Sequence, residues 1–369
     1  MEIESTVQRR IRDRDSSLSP YAVRADTSRG RERPEPDQPF RGLFQVDRDR
    51  IIRTKAFRRL MHKTQVFIAP LGDHYLTRLT HTMEVSLIAR TVTRALNLNE
   101  DLAEAICMGH DLGHAPFGHL GETTLAELHP GGFRHNRQSV RVVEVLENDG
   151  RGLNLTWEVR QGILRHSKSR TGIEGRPHPE LDTLEAQAAK IADALAYISH
   201  DTDDAMRARM IREEDLPSEA TAALGRDRTQ WPIVMAEDIV RSSWAASGMG
   251  EAPPEETPVI QMSAEMSGAA NALREFLFQR VYEPASADEQ AGRARSIVAL
   301  LSRHFQRHPH LVPEEYTLRG EPPERMALDY VAGMTDSYAL RAAEEIQPGI
   351  TRGFREIGAP LTLPEGSPR

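Results

Sequence analysis

Residues 81–96 read His81-Thr82-Met83-Glu84-Val85-Ser86-Leu87-Ile88-Ala89-Arg90-Thr91-Val92-Thr93-Arg94-Ala95-Leu96. Val85, Ile88, Val92 and Leu96 recur at the spacing of one helical stripe, not at the alternation of a strand. Asn99 follows, with Glu100 and Asp101 behind it: a side chain able to cap the next helix and two acids suited to its positive end. That helix carries Leu102, Ala105 and Ile106 and runs into His110-Asp111. The periodicity returns at 136–148 (Val140, Val143, Leu146) and at 155–166 (Val159, Ile163). In 182–203, Leu184, Ala188, Ile191, Leu195 and Ile198 form another stripe. A Gly/Ala/Pro-rich segment at 245–258 breaks the pattern and reads as a surface loop. Helices resume at 262–282, 289–306 and 322–346. Strand-like alternation is scarce and there is no internal repeat. The chain is predicted to be all-α, a helical bundle over 46–210 with a C-terminal helical extension over 211–369 packed on it. Residues 1–45 hold nine Arg, eight Asp/Glu and four prolines, and are predicted to form a charged, partly extended arm able to reach a neighbouring subunit.

Composition narrows the class. The 369 residues suffice for a substantial core. No apolar run approaches the roughly 18 residues that span a bilayer, Ile297 to Leu301 being typical of the short patches. Met1-Glu2-Ile3-Glu4 opens no secretory signal. Cys107 stands alone, which excludes an intramolecular disulfide or a multi-cysteine zinc module. The expected compartment is the cytoplasm, with no membrane partner. A net charge of −8 disfavours a bulk nucleic-acid binder. The histidines stand out: 14 in all, eight of them between His62 and His135.

His81 opens one predicted helix, His110-Asp111 closes the next, and Asp193 lies inside a third. Two imidazoles and two carboxylates make a mixed N/O set suited to a divalent ion, and helix ends in a bundle can converge on one cleft. Any one such residue is more often structural, so the weight rests on their number and placement. After Asp111, the run Leu112-Gly113-His114-Ala115-Pro116-Phe117-Gly118-His119-Leu120-Gly121-Glu122 is rich in glycine and reads as a shaped loop. His119 and Glu122 can touch if a helical turn begins there, and a carboxylate holding a histidine orients a general acid or base. Asp193, Tyr197 and Asp201 share a face among small alanines, which favours a polar row turned to a cavity over a solvated face. Residues 41–80 carry nine Arg/Lys against three acids. Arg53, Lys55, Arg58, Arg59, Lys63 and Arg78 are expected to surround the approach to His81, where they would suit a polyphosphate.

The runs Lys55–Leu60, Lys63–Phe67, Arg78–Val85, Gly109–His114 and Phe117–Glu122 together resemble the deoxyguanosine triphosphate triphosphohydrolase-like family of HD-superfamily enzymes. Ile191-Ala192-Asp193 with Tyr197, His200-Asp201 and Asp203-Asp204-Ala205 fits as well, as does Asp329–Asp336 with Tyr338. The resemblance covers nearly the whole chain, least distinctively at 210–320. It implies a helical HD domain and hydrolysis of deoxynucleoside triphosphates to deoxynucleoside and inorganic triphosphate. By matching position it implies His81, His110, Asp111 and Asp193 as metal ligands and His119 with Glu122 as the catalytic pair. It implies His114, His135 and Arg78 at the phosphates, Tyr197 and Asp201 near the deoxyribose, and Gln65 with Val66 at the sugar edge. One divalent ion per site is expected, Mg or Mn, with Fe, Co, Ni or Zn as alternatives. Homo-oligomers, a nucleotide effector and a weak single-stranded nucleic-acid contact are the expected partners besides the dNTP. Two features depart from the family pattern: Arg134 stands where an acid is usual, and Arg53-Thr54 replaces a His-Ser pair. The competing readings are another HD phosphohydrolase, of nucleoside monophosphatase type, and a nucleotide- or nucleic-acid-binding HD protein with little activity.

Overall fold

Short side chains at the boundaries of the predicted helices decide where they begin. The computed structural model describes residues 2–65, 76–167, 183–249 and 258–354. Thr54 accepts from Phe57 N–H, Asn99 from Leu102 N–H and Thr183 from Ala186 N–H, each starting a helix by satisfying a donor the helix cannot. In chain order the helices are α1 Glu2–Ser16, α2 Leu43–Ile52, α3 Lys55–Arg59, α4 Arg78–Ala95, α5 Glu100–Gly109, α6 Gly118–Leu128, α7 His135–Arg141 and α8 Trp157–Arg165. Then come α9 Leu184–Arg207, α10 Ser218–Leu224, α11 Trp231–Ser242, α12 Ala264–Leu277, α13 Glu283–Ala287 and α14 Glu289–Arg307. The last three are α15 Glu314–Thr317, α16 Pro323–Ala332 and α17 Asp336–Ile346. Among the described residues there is no β-strand, only the isolated bridges Arg31–Thr156 and Thr64–Thr77. The protein is all-α, as its periodicity predicts. Among the described residues no helix is long and apolar enough to cross a membrane.

The predicted stripes are the buried ones. Val85, Ile88 and Val92 of α4 pack with Ile191, Leu195 and Ile198 of α9 and Leu102 and Ile106 of α5 in one core, which runs on through α10, α11 and α12 to Val281. A second core joins Ala115, Phe117, Leu125 and Phe133 to Ile297, Leu301 and Phe305 of α14 and to Val331 of α16. The loop after Asp111 is strung between them, with Leu112 in the first core and Ala115 and Phe117 in the second.

Three expectations need correction. Residues 2–16 of the arm are helical rather than extended: no Gly or Pro interrupts them, and Glu2, Glu4 and Arg14 sit at the ends that complement the helix dipole. The rest of the arm, 17–42, is irregular backbone with turns, parts of which bond to the body of the chain. Ser19 Oγ donates to Ala246 O at 2.6 Å, Val23 N–H to Glu185 at 3.0 Å and Arg29 N–H to Glu158 at 2.7 Å. Second, residues 118–122 are helix, not loop. Third, 322–346 is two helices: Gly333 to Thr335 turns the chain, and Thr335 accepts from Tyr338 N–H to start α17.

Candidate active site

Three elements bring the predicted ligand set together. His81 lies in the first turn of α4, His110 and Asp111 follow the last turn of α5, and Asp193 lies within α9. His81 Nε2 is 3.1 Å from Asp193 Oδ1, and His110 Nε2 is 3.6 Å from Asp111 Oδ1 and 3.9 Å from Asp193 Oδ1. Ligand atoms of His81, His110 and Asp111 all lie within 4.8 Å of one another. Ser139 of α7 braces the turn, donating to His110 O at 2.7 Å and accepting from Gly113 N–H at 2.9 Å.

The hydrogen bonds say what this set is built to hold. His110 Nδ1 faces Cys107 O at 2.6 Å and must donate to it. In the neutral ring Nε2 is then a bare lone pair, buried without a hydrogen-bond partner and directed at two carboxylates. A lone pair facing two anions is repulsive unless a cation lies between them, so the residues present fit a divalent ion. Burial pushes His81 down, toward the neutral form that ligates.

A second cluster adjoins the first. Glu122 is 3.4 Å from His119 Nδ1 and closer to His135, whose Nδ1 is 3.0 Å from each carboxylate oxygen and whose backbone N–H donates at 2.9 Å. His119 and Glu122 meet because α6 begins at Gly118, putting them three apart on its first turns. Phe117 and Gly118 start α6 with two left-handed residues, φ 61° and 60°. A side chain at Gly121 would meet Pro116 O at 2.0 Å, so only glycine admits this close return of the loop. His114 stacks on His135, ring centres 4.5 Å apart.

Nothing in the sequence singles out His166, a lone histidine just past a helix end. Its Nδ1 donates to Ile163 O at 2.7 Å, leaving Nε2 to accept from His135 Nε2–H at 3.1 Å. His135 thus holds a proton on each nitrogen, one toward Glu122 and one toward His166. Burial opposes that charge, but the Glu122 carboxylate outweighs it and raises His135. Burial and the neighbouring His110 and His135 push His166 down to about 3. Glu122 is itself lowered, its burial outweighed by hydrogen bonds from His119 and His135.

Both clusters open on a cavity of about 1080 Å³, lined also by Gln65, Arg78, Tyr197, Tyr282, Arg207, Arg209, Arg274 and Arg295. Arg78 is 2 % exposed; Nη1 donates to Asp111 at 2.7 Å and Nη2 to Gln65 O at 3.3 Å. Tyr197 lines the cavity, whereas Asp201, one turn on, is buried and accepts from Tyr282 O–H at 2.6 Å. Val66 lies outside the described residues. The basic island divides, against expectation. Only Arg78 of the six lines this cavity, while Arg53, Lys55, Arg58, Arg59 and Lys63 line a separate pocket of about 260 Å³. The Thr54 cap turns α3 toward the C-terminal helices, where Lys55 pairs with Glu315 and Arg59 donates to Tyr316 at 3.0 Å. Arg207, Arg274 and Arg295, on α9, α12 and α14, and Arg209, just past the end of α9, add further cations to the cavity lining.

The HD domain family matches residues 78–198, and the phosphohydrolase-associated domain family matches residues 260–345. A deoxyguanosinetriphosphate triphosphohydrolase-like protein of Caldanaerobacter subterraneus subsp. tengcongensis is 52% identical over 331 residues, 89% of this chain and 92% of that one. Proteins of the same description from Desulfatibacillum aliphaticivorans and Clostridium perfringens are each 42% identical. They cover 92% and 89% of this chain, and 98% and 94% of their own. The chain belongs to the deoxyguanosinetriphosphate triphosphohydrolase-like family. It is therefore an HD-domain phosphohydrolase family member, and an HD domain implies a divalent metal, for which the His/Asp cluster supplies donors.

Proposed function

We propose that this protein hydrolyses deoxynucleoside triphosphates to the deoxynucleoside and inorganic triphosphate. The observation that carries the reading is the juxtaposition, in one cavity, of the His/Asp donor set with the Glu122-centred histidine cluster and Arg78. A monophosphatase would need the donors but has no use for the second cluster. His81, His110, Asp111 and Asp193 would hold one divalent ion, Mg or Mn first, which when bound lowers the pKa of water and polarises the α-phosphate.

The chain's own groups do the rest. His119, reaching into the cavity with Glu122 behind it, moves a proton at the attacking water or the departing 5′-oxygen. His135, doubly protonated between Glu122 and His166, presents fixed positive charge to the triphosphate, with His114 stacked beside it. Arg78 stands where its fork can exchange Asp111 for a phosphate oxygen. Tyr197 packs under the deoxyribose, Asp201 positions that wall through Tyr282, and Gln65 meets the sugar edge. The family resemblance supports a dNTP as partner; homo-oligomers, an effector nucleotide and a single-stranded nucleic-acid contact belong to the same proposal.

The test is direct. Metal-replete protein is incubated with each dNTP, singly and mixed, and the phosphate product is resolved. Inorganic triphosphate is expected, and turnover only in mixtures would identify an effector nucleotide. Orthophosphate from a monophosphate, or pyrophosphate, would replace this reading by another HD phosphohydrolase. Salt-dependent oligonucleotide binding with no turnover would replace it by a binding protein.

A further inference from the structure

The loop carrying His114 and leading to His119 is gripped from outside the HD domain. Asp336, the first residue of α17, is buried at 1 % exposure. Its Oδ1 accepts Phe117 N–H at 2.9 Å, while Oδ2 accepts Thr64 N–H at 3.0 Å and Thr64 Oγ1–H at 2.7 Å. One carboxylate therefore ties the left-handed residue that starts α6 to the neighbour of Gln65. A few residues back, at the end of α16, Ala332 O accepts from Lys63 Nζ at 2.9 Å, and the same Nζ donates to His114 O. The short turn between α16 and α17 thus holds the loop at His114 and again at Phe117.

The placement of Phe117 makes this more than general packing. A non-glycine residue at φ 61° is strained and persists only where its surroundings over-determine it. Asp336 takes its N–H, and the second core takes its ring, which lies 5.7 Å from that of Phe354. His119 is two residues further on, so the direction in which α6 leaves Phe117 sets where His119 points.

We propose that Asp336 is a positioning residue for the reaction, fixing the start of α6 so that His119 meets the substrate, with Lys63 as a second hold on the same loop. The turn between α16 and α17, which does not itself line the cavity, thereby adds a structural hold to the active site that the phosphohydrolase-associated region also lines through Arg274, Tyr282 and Arg295. The proposal rests on the triphosphohydrolase reading for its kinetic consequence but not for its structural one.

Asp336→Ala and the milder Asp336→Asn, which keeps one acceptor oxygen, are compared with Leu301→Ala, a purely apolar truncation in the same core. Each is prepared as the full, metal-replete chain. The expected result is a kcat for triphosphate release lowered about 10- to 100-fold in Asp336→Ala, less in Asp336→Asn, with KM within about 3-fold of wild type. Leu301→Ala loses thermal stability but keeps kcat. Because Asp336 acts through His119, adding Asp336→Ala to His119→Ala should cost less than about 2-fold further. Independently of activity, hydrogen exchange of the 112–122 peptide should quicken at least about 10-fold in Asp336→Ala and stay near wild type in Leu301→Ala. Unchanged exchange in Asp336→Ala, or equal loss in Leu301→Ala, overturns the grip even if no dNTP is turned over. Normal kcat with quickened exchange, or full additivity with His119→Ala, overturns the catalytic consequence. Wild-type protein that turns over no dNTP overturns the functional reading alone.

Discussion

Asp111 serves two neighbours at once. Oδ2 takes the Arg78 fork at 2.7 Å, while Oδ1 lies 3.6 Å from the bare nitrogen of His110. Asp111→Ala should abolish metal-dependent release of triphosphate and also destabilise the apoprotein, because it strands the buried Arg78 charge. Retained metal-dependent release would remove Asp111 from the ligand set. His119 presents the opposite case, its side chain 60 % exposed against 13 % for His135. Little packing depends on it, so His119→Ala should keep metal and nucleotide binding while kcat drops roughly 10²- to 10⁴-fold. An unchanged kcat would exclude it from the chemistry. The donor set and the His119–Glu122 contact are legible in sequence, since His110 and Asp111 are adjacent and the pair is one helical turn apart. Glu122's stronger engagement with His135, and His166 behind it, depend on how α6, α7 and α8 pack, which no local spacing encodes.

At the level of elements, α9 shows why the periodicity is informative. Ile191, Leu195 and Ile198 are buried, and the same helix turns Asp193 and Tyr197 into the cavity. Leu195→Ala should lower unfolding free energy by roughly 2–5 kcal/mol in urea titration, since the packed surround cannot close over the missing atoms. A loss below about 1 kcal/mol would mean that α9 can shift to fill the space. Helices without a buried apolar stripe are harder to see. α1 buries no residue: Ile3, Val7 and Ile11 are spaced as a helical stripe, but they are only three apolar positions among charged or polar neighbours and no core takes them up. α6 reads as loop because Gly118 and Gly121 fall in its first turn, and the contacts that demand those glycines come from Pro116, Gln65 and Arg78. Local propensity there argues against the helix that tertiary packing imposes.

Across the whole molecule, Glu185 knits three distant segments. Its Oε1 accepts Val23 N–H of the arm and Asn99 N–H at the start of α5, at 3.0 and 3.1 Å, from a fully buried position in α9. Burial pushes its carboxyl up to about 7, well above the ordinary 4.5. A carboxyl raised on folding adds stability that is complete below about pH 4.5 and is lost as pH rises through about 7. The span corresponds to something on the order of 3 kcal/mol. Thermal unfolding from about pH 5 to about pH 8.5 should therefore show Glu185→Gln gaining on the wild type as pH rises. A constant gap between the two curves would mean that Glu185 is ionised throughout. Such links, like the 219-residue reach from Asp336 to Phe117, are invisible to a window moved along the chain. The loop slung between the two cores carries one more implication, for inheritance. A residue inserted between Leu112 and Phe117 would either draw Phe117 from its core or turn His119 by about 100° around α6. Descendants of this gene can lengthen connections that touch a single core. Between these two anchors the count of residues is itself under selection, and an alignment of relatives should show no gap there.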